Sequence, residues 1–194
     1  MLSGRELALG IVGAWRLVRA DRTALLCFDR TPRGFWRSFW VALILAPVSA
    51  LLVAIHLADL KIVDVSARIV LLQMGFVALN WLAMPALLSE IAQRTGRVPQ
   101  FMAYVIANNY AQILGTGFWL AALVLAVSVP AAIGSVLLYG ALGGLLFYQY
   151  RIARVAFELR PLFAAALVIA EFALQQFLLA INDGLLQAFV PAGV

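Results

Sequence analysis

Apolar positions fill five long runs of this chain, near residues 38–57, 69–88, 108–129, 132–150 and 162–181, with short polar stretches between them. Each run holds about 20 residues, enough at 1.5 Å per residue to cross about 30 Å of hydrocarbon. The pattern predicts an all-α fold, a polytopic transmembrane helical bundle of five spans. The stretch ahead of them differs. Leu7, Ile11, Ala14, Val18 and Leu25 fall on one helical face, and Arg5, Arg16 and Arg19 fall on another. Residues 3–28 therefore read as an amphipathic helix. It either lies in the headgroup layer, with arginines reaching phosphates, or packs on the ends of the spans. The expected division is 1–34, an interfacial helix and turn, and 35–194, the five-span domain.

Prolines and glycines mark the boundaries. Thr31 suits an N-cap and Pro32 the first helical position, where a missing N–H costs nothing. Pro47 lies inside span one and is expected to kink it. Pro85 sits near the end of span two, and Gly96 and Pro99 break the next loop. The third span has an indistinct start between Phe101 and Ala111. Its lead-in, "FMAYVIANNYAQ", is amphipathic and is expected to project from the membrane. "VPAAIG" reads as a tight hairpin loop, and Pro161 opens the last span.

Composition agrees with a membrane class. The chain has 194 residues, 65% hydrophobic and 12% charged, with a mean hydropathy of +1.00. Soluble domains are about half apolar and a quarter charged. "LALGIVGAW" is followed at once by Arg16, Arg19, Asp21 and Arg22, so no cleavable signal peptide is expected. Cys27 is the only cysteine and reads as a small apolar filler.

The net charge of +5 points to lipid headgroups rather than nucleic acid, given where the cations sit. Arg5, Arg16, Arg19, Arg22, Arg30, Arg33 and Arg37 precede span one. Arg94 and Arg97 follow span two, and Arg151, Arg154 and Arg160 follow span four. Only Lys61 and Arg68 fall on the other side. This asymmetry predicts a cytoplasmic N-terminus and a periplasmic C-terminus. Arg33 and Arg37 alternate with Phe35, Trp36, Phe39 and Trp40, as in an aromatic belt. Arg5, Arg16, Arg19, Arg33, Arg37, Trp36 and Trp40 are the expected headgroup contacts.

Polar residues inside the spans are the candidate chemistry. Glu171 lies ten residues past Pro161, about 15 Å along the helix and near the midplane. Gln175 and Asn182 follow on nearly the same face. Such a stripe faces protein or water, not lipid. Asn80 and Gln112 are the expected partners of Glu171, and Asn108 and Asn109 complete an intramembrane polar cluster. The group reads as a hydrogen-bond clamp between helices, a proton or cation site, or a polar lining for a ligand.

Gly140 and Gly144 form a GxxxG in span four, suited to packing inside the bundle or to a homodimer seam. Enzyme motifs are absent: there is no GxSxG, HExxH or P-loop. His56, beside Asp59 and Asp64, is the one conceivable metal ligand, but a lone imidazole with dispersed carboxylates reads as surface. No catalytic set, metal or cofactor is expected.

The layout resembles the Yip1 family of five-span membrane proteins over roughly Phe35 to Gly184. Its elements are the aromatic lead-in to span one, a Tyr-containing third span ("YVIANNYAQILG"), the close hairpin "VSVPAAIGSV" and a last span beginning "RPLFAAALVIA". The "DLYGP"-type stretch of the eukaryotic branch has no match here. The resemblance implies the fold rather than an activity. The Arg-, Ala- and Leu-rich composition looks like that of a GC-rich bacterium, which suggests the inner membrane. The expected role is non-enzymatic, acting through lateral protein or lipid contacts as an organiser, adaptor or accessory subunit. It would sit in a larger membrane complex or a homo-oligomer. The alternative is a transporter or channel component using the stripe around Glu171. An intramembrane lipid enzyme comes third, because no nucleophile–base pair is evident.

Overall fold

The computed structural model describes residues 2–62 and 65–187, and these form seven α-helices and one 3-10 turn, with no strand. The helices are α1 (Gly4–Val18), α2 (Pro32–Ser38), α3 (Trp40–Asp59), α4 (Ala67–Arg94), α5 (Val98–Val127), α6 (Ala131–Val155) and α7 (Pro161–Gln187). Five segments are long and apolar enough to cross a membrane: α2 with α3, then α4, α5, α6 and α7. The chain is an integral membrane protein built as an all-α bundle.

The N-terminal region is not one helix over 3–28. α1 starts with a capping box: the Ser3 hydroxyl accepts the Glu6 N–H at 3.2 Å, and the Glu6 carboxylate accepts the Ser3 N–H at 2.9 Å. It ends at Val18, where Ala20 turns into the left-handed region at φ 55°. Asp21 then starts afresh by accepting the Thr23 N–H at 2.9 Å, which begins the 3-10 turn Arg22–Cys27.

α1 seats on α5 and α6 through glycine. A Cβ on Gly10 would lie 2.2 Å from the Tyr110 ring, and one on Gly13 would lie 2.7 Å from Phe28. Those two rings stack at 5.7 Å. Tyr148 of α6 donates its hydroxyl to the Ala14 carbonyl at 2.7 Å, and Arg151 donates to the Val18 carbonyl at 2.9 Å. The buried face is Gly10, Gly13, Ala14 and Leu17, rotated from the expected apolar face. Val18 is left exposed, because flat glycine backbone approaches the rings more closely than branched side chains allow. α1 thus packs on the ends of the spans, and its Leu17 and Ala14 belong to the principal core.

Span one forms in two pieces. Thr31 caps α2 by accepting the Gly34 N–H at 3.1 Å, with Pro32 in the first turn. Phe39 separates α2 from α3, and α3 continues through Pro47. At the joint the buried Ser38 hydroxyl donates to the Phe35 carbonyl at 2.7 Å and accepts from Asn109 at 2.8 Å.

α5 is the hub of the bundle, touching α1, α2, α3, α4 and α6. Its helix begins at Val98, ten residues before the expected start of the third span. Ala103 to Ala107 are buried, as are Asn109, Tyr110 and Ala111, because α1 and α2 cover them. Helix contacts run α3–α5–α6–α7–α4 and return to α3, but α3 and α4 meet only briefly.

The two ends of the bundle differ in charge. At one end Arg97 donates to the Glu158 carbonyl at 3.3 Å, joining the start of α5 to the loop after α6. The arginines before α3, after α4 and after α6 share this end. At the other, His56 of α3 meets Asp183 of α7 at 2.8 Å above a small cluster of Leu57, Ile69 and Leu186.

Candidate functional site

Glu171 is buried on α7, and its carboxylate accepts a hydrogen bond at 3.1 Å from the hydroxyl of Tyr104, itself buried on α5. The expected partners, Asn80 and Gln112, do not reach it. Asn80 is exposed and donates to the Phe76 carbonyl of its own helix at 3.0 Å. Gln112 faces a separate cleft on α5. The difference follows from the early start of α5: Tyr104 lies within the helix, and a phenol on it spans the gap to α7. Its ring packs against Phe157 at 5.5 Å, which in turn lies under the Arg97 guanidinium.

The rest of the α7 stripe lines a polar cleft of about 320 Å³ between α3, α4 and α7. His56, Gln73, Asn80, Gln175, Gln176 and Asn182 face it. Gln73 and Asn182 are buried and pair reciprocally: the Gln73 amide donates to Asn182 at 2.9 Å and accepts in return at 3.4 Å. His56 and Asp183 bridge the rim. Asn182 therefore finds its partner on α4, while Gln175, half-buried, presents its amide to the cleft. Asp64, grouped with His56 and Asp59 in the sequence, lies outside the described residues. No three His, Cys, Asp or Glu side chains gather as metal ligands among those described.

A second polar cleft of about 200 Å³ opens between α5 and α6, where Asn108, Gln112 and Thr116 face Gln149. Leu52 of α3 lines both clefts. Asn109 points elsewhere, to Ser38 at the α2–α3 joint. The six residues of the expected polar cluster thus divide among four places rather than meeting around Glu171.

A groove of about 740 Å³, larger than either cleft, lies between α3 and α4. One wall is α3, whose Ala42, Ala46, Ala50, Ala54 and Ala58 recur every fourth residue and line it together. Met74, Val77, Trp81 and Leu82 form the facing wall on α4. Val53, Gln73 and Val77 line both this groove and the polar cleft, so apolar and polar space are continuous. Reading the sequence missed this arrangement. The alanine spacing was its visible signal; the parting of α3 from α4 had none.

The glycines of α6 serve different surroundings. A Cβ on Gly144 would meet Phe118 of α5 at 3.7 Å, ordinary contact within the bundle, and one on Gly140 would meet nothing within 4 Å. The close approach in this hairpin is at Gly134, where a Cβ would lie 2.6 Å from the Ala126 carbonyl oxygen.

At the arginine-rich end, Arg5, Arg16, Arg19 and Arg33 are exposed, as are Trp36 and Trp40. Arg37 is half-buried and forms an ion pair with Glu6, so α2 is tied to α1. Hydrogen bonds from Ser3, then the Arg37 charge, hold the Glu6 carboxyl below its ordinary value of 4.5. Thr23 does the same for Asp21.

No protein-family model, curated protein or solved structure matches the chain.

Proposed function

We propose that this protein is a non-enzymatic integral membrane protein that works through lateral contacts, taking a membrane-embedded partner into the groove between α3 and α4. The observation that carries this reading is the groove itself: about 740 Å³, open to the bilayer, with a wall of alanines at four-residue spacing. Small residues at this spacing let a neighbour approach the backbone closely, which is how intramembrane contacts gain van der Waals energy. An organiser, adaptor or accessory subunit of a membrane complex fits such a surface. We place the arginine-rich end in the cytoplasm of a bacterial cell, with the protein in the inner membrane, because twelve of its 14 Lys and Arg lie on that side. The Yip1-like layout accords with a five-span protein of this kind.

The test is affinity purification from native membranes, comparing the wild type with Ala50→Trp, which fills the groove. A partner, protein or lipid, that accompanies the wild type and is released by Ala50→Trp supports the reading. An identical set of companions for both proteins contradicts it.

A second reading is favoured by the paired clefts. Amides and an imidazole on α3, α4 and α7 form a polar surface inside the membrane, as a transporter or channel component requires. Proton-coupled flux in liposomes, lost in Glu171→Gln with folding intact, would select it.

A further inference from the structure

We infer that the α3–α4 groove and the polar cleft beside it form one binding site for a lipid with an uncharged, hydroxyl-bearing headgroup. Its acyl chain would lie along the alanine wall and its headgroup among the amides. The inference rests on the lateral-contact reading and names the occupant.

Continuity is the first argument. The groove and the cleft share Val53, Gln73 and Val77, so a single molecule can occupy both. The shared lining is Val53 of α3 with Gln73 and Val77 of α4, and the carboxamides of α7 stand on the cleft side alone. A partner helix laid in the groove would cover the alanines and leave the unpartnered Gln175 amide facing hydrocarbon, which is costly for an unsatisfied polar group. An amphiphile satisfies both regions at once.

Charge selects the headgroup. The polar groups facing the cleft are the carboxamides of Gln73, Asn80, Gln175, Gln176 and Asn182, with His56 engaged by Asp183 at the rim. Carboxamides donate and accept, which matches hydroxyls. Among the described residues no Lys or Arg lines the cleft, so they offer none of the charged forks that grip phosphate. Lys61 and Arg68, the cations of this end, are not among its walls, and the remaining cations lie at the far end of the bundle. An anionic lipid finds its partners there instead. Gln73 and Asn182 hold each other, while Gln175 has no hydrogen-bond partner among the described residues and is free to turn to a ligand.

The test uses the full-length protein in phosphatidylcholine nanodiscs. These are doped with either a galactosyl-diacylglycerol or phosphatidylglycerol, and the retained lipid is read by native mass spectrometry. The wild type should retain the glycolipid in preference to phosphatidylglycerol. The double variant Asn80→Leu, Gln175→Leu leaves the Gln73–Asn182 pair intact and should cut glycolipid retention roughly tenfold. Ala50→Trp should remove it by blocking the chain. Equal retention of both lipids, or retention unchanged in the double variant, overturns the headgroup assignment. No lipid on the wild type, with a protein partner that Ala50→Trp releases, overturns the lipid and leaves the lateral reading standing. No lipid and no partner sensitive to Ala50→Trp sinks both.

Discussion

Tyr104 of α5 donates its hydroxyl to the carboxylate of Glu171 on α7, and this bond of 3.1 Å crosses the bundle between two helices that otherwise meet little. α6 and α4 flank them. The bond holds across the interior what the neighbouring contacts hold around the rim. Tyr104→Phe leaves the carboxyl without its donor and should destabilise the protein by about 1 to 2 kcal/mol in micelles. Glu171→Gln keeps an oxygen acceptor for the phenol and should cost less and leave the fold intact. Denaturant titration of both variants measures the difference; the opposite order would remove Tyr104 as the partner that matters.

α1 is held by shape at glycine. Gly10→Val places a side chain where the Tyr110 ring already sits, since even a Cβ would be 2.2 Å from it. Overpacking of this kind costs about 1 to 3 kcal/mol, more than the few tenths that helix propensity returns. Amide exchange across residues 4–18 should accelerate strongly. Gly75→Ala, in open space on α4, should instead stabilise by up to about 1 kcal/mol. Unchanged exchange in Gly10→Val would mean that α1 does not dock where the rings are.

Acid should loosen the same helix. The Glu6 carboxyl titrates below its ordinary 4.5 in the folded protein, so its contribution is complete above that value and is lost as the pH falls through the lowered one. Protonation weakens the capping box and the Arg37 pair together. Exchange protection of α1 should therefore fall in the wild type as the pH drops below 4.5 and through the lowered value. In Glu6→Gln, which has already lost the charge, it should stay level. Parallel curves for the two proteins would contradict the assignment.

Gln73 and Asn182 offer a direct coupling measurement. Their reciprocal pair joins α4 to α7 within the membrane. A double-mutant cycle with Gln73→Leu and Asn182→Leu should give a coupling of about 0.6 kcal/mol, and no more than about 1.7. Zero coupling would indicate that the two amides meet water or ligand rather than each other.

The elements of this fold are readable along the chain where their cause is local. Five apolar runs give five spans, and Thr31 with Pro32 gives the start of α2. Proline alone does not end a helix here: α3 and α4 run through Pro47 and Pro85. What the sequence hides depends on who faces whom. Asn108 and Asn109 look like a membrane edge, so the true start of α5 is obscured until α1 and α2 are seen lying over it. Gly10 and Gly13 look like ordinary small residues until Tyr110 and Phe28 are placed against them. Glu171 is evident as a buried carboxyl, but its partner is 67 positions away on a helix whose facing side no local pattern sets. His56 and Asp183, 127 positions apart, are joined where the ends of α3 and α7 come together. The alanines of α3 are visible at their spacing of four; that they stand beside open space is a property of the bundle.

The groove between α3 and α4 is the centre of this account, and site-specific photo-crosslinking in native membranes reaches it most directly. A photoreactive residue at Ala50 should give a discrete adduct, protein or lipid, that is absent when the same residue replaces Val136 on the exposed face of α6. Indistinguishable, diffuse labelling of bulk lipid from both positions would contradict a built lateral site.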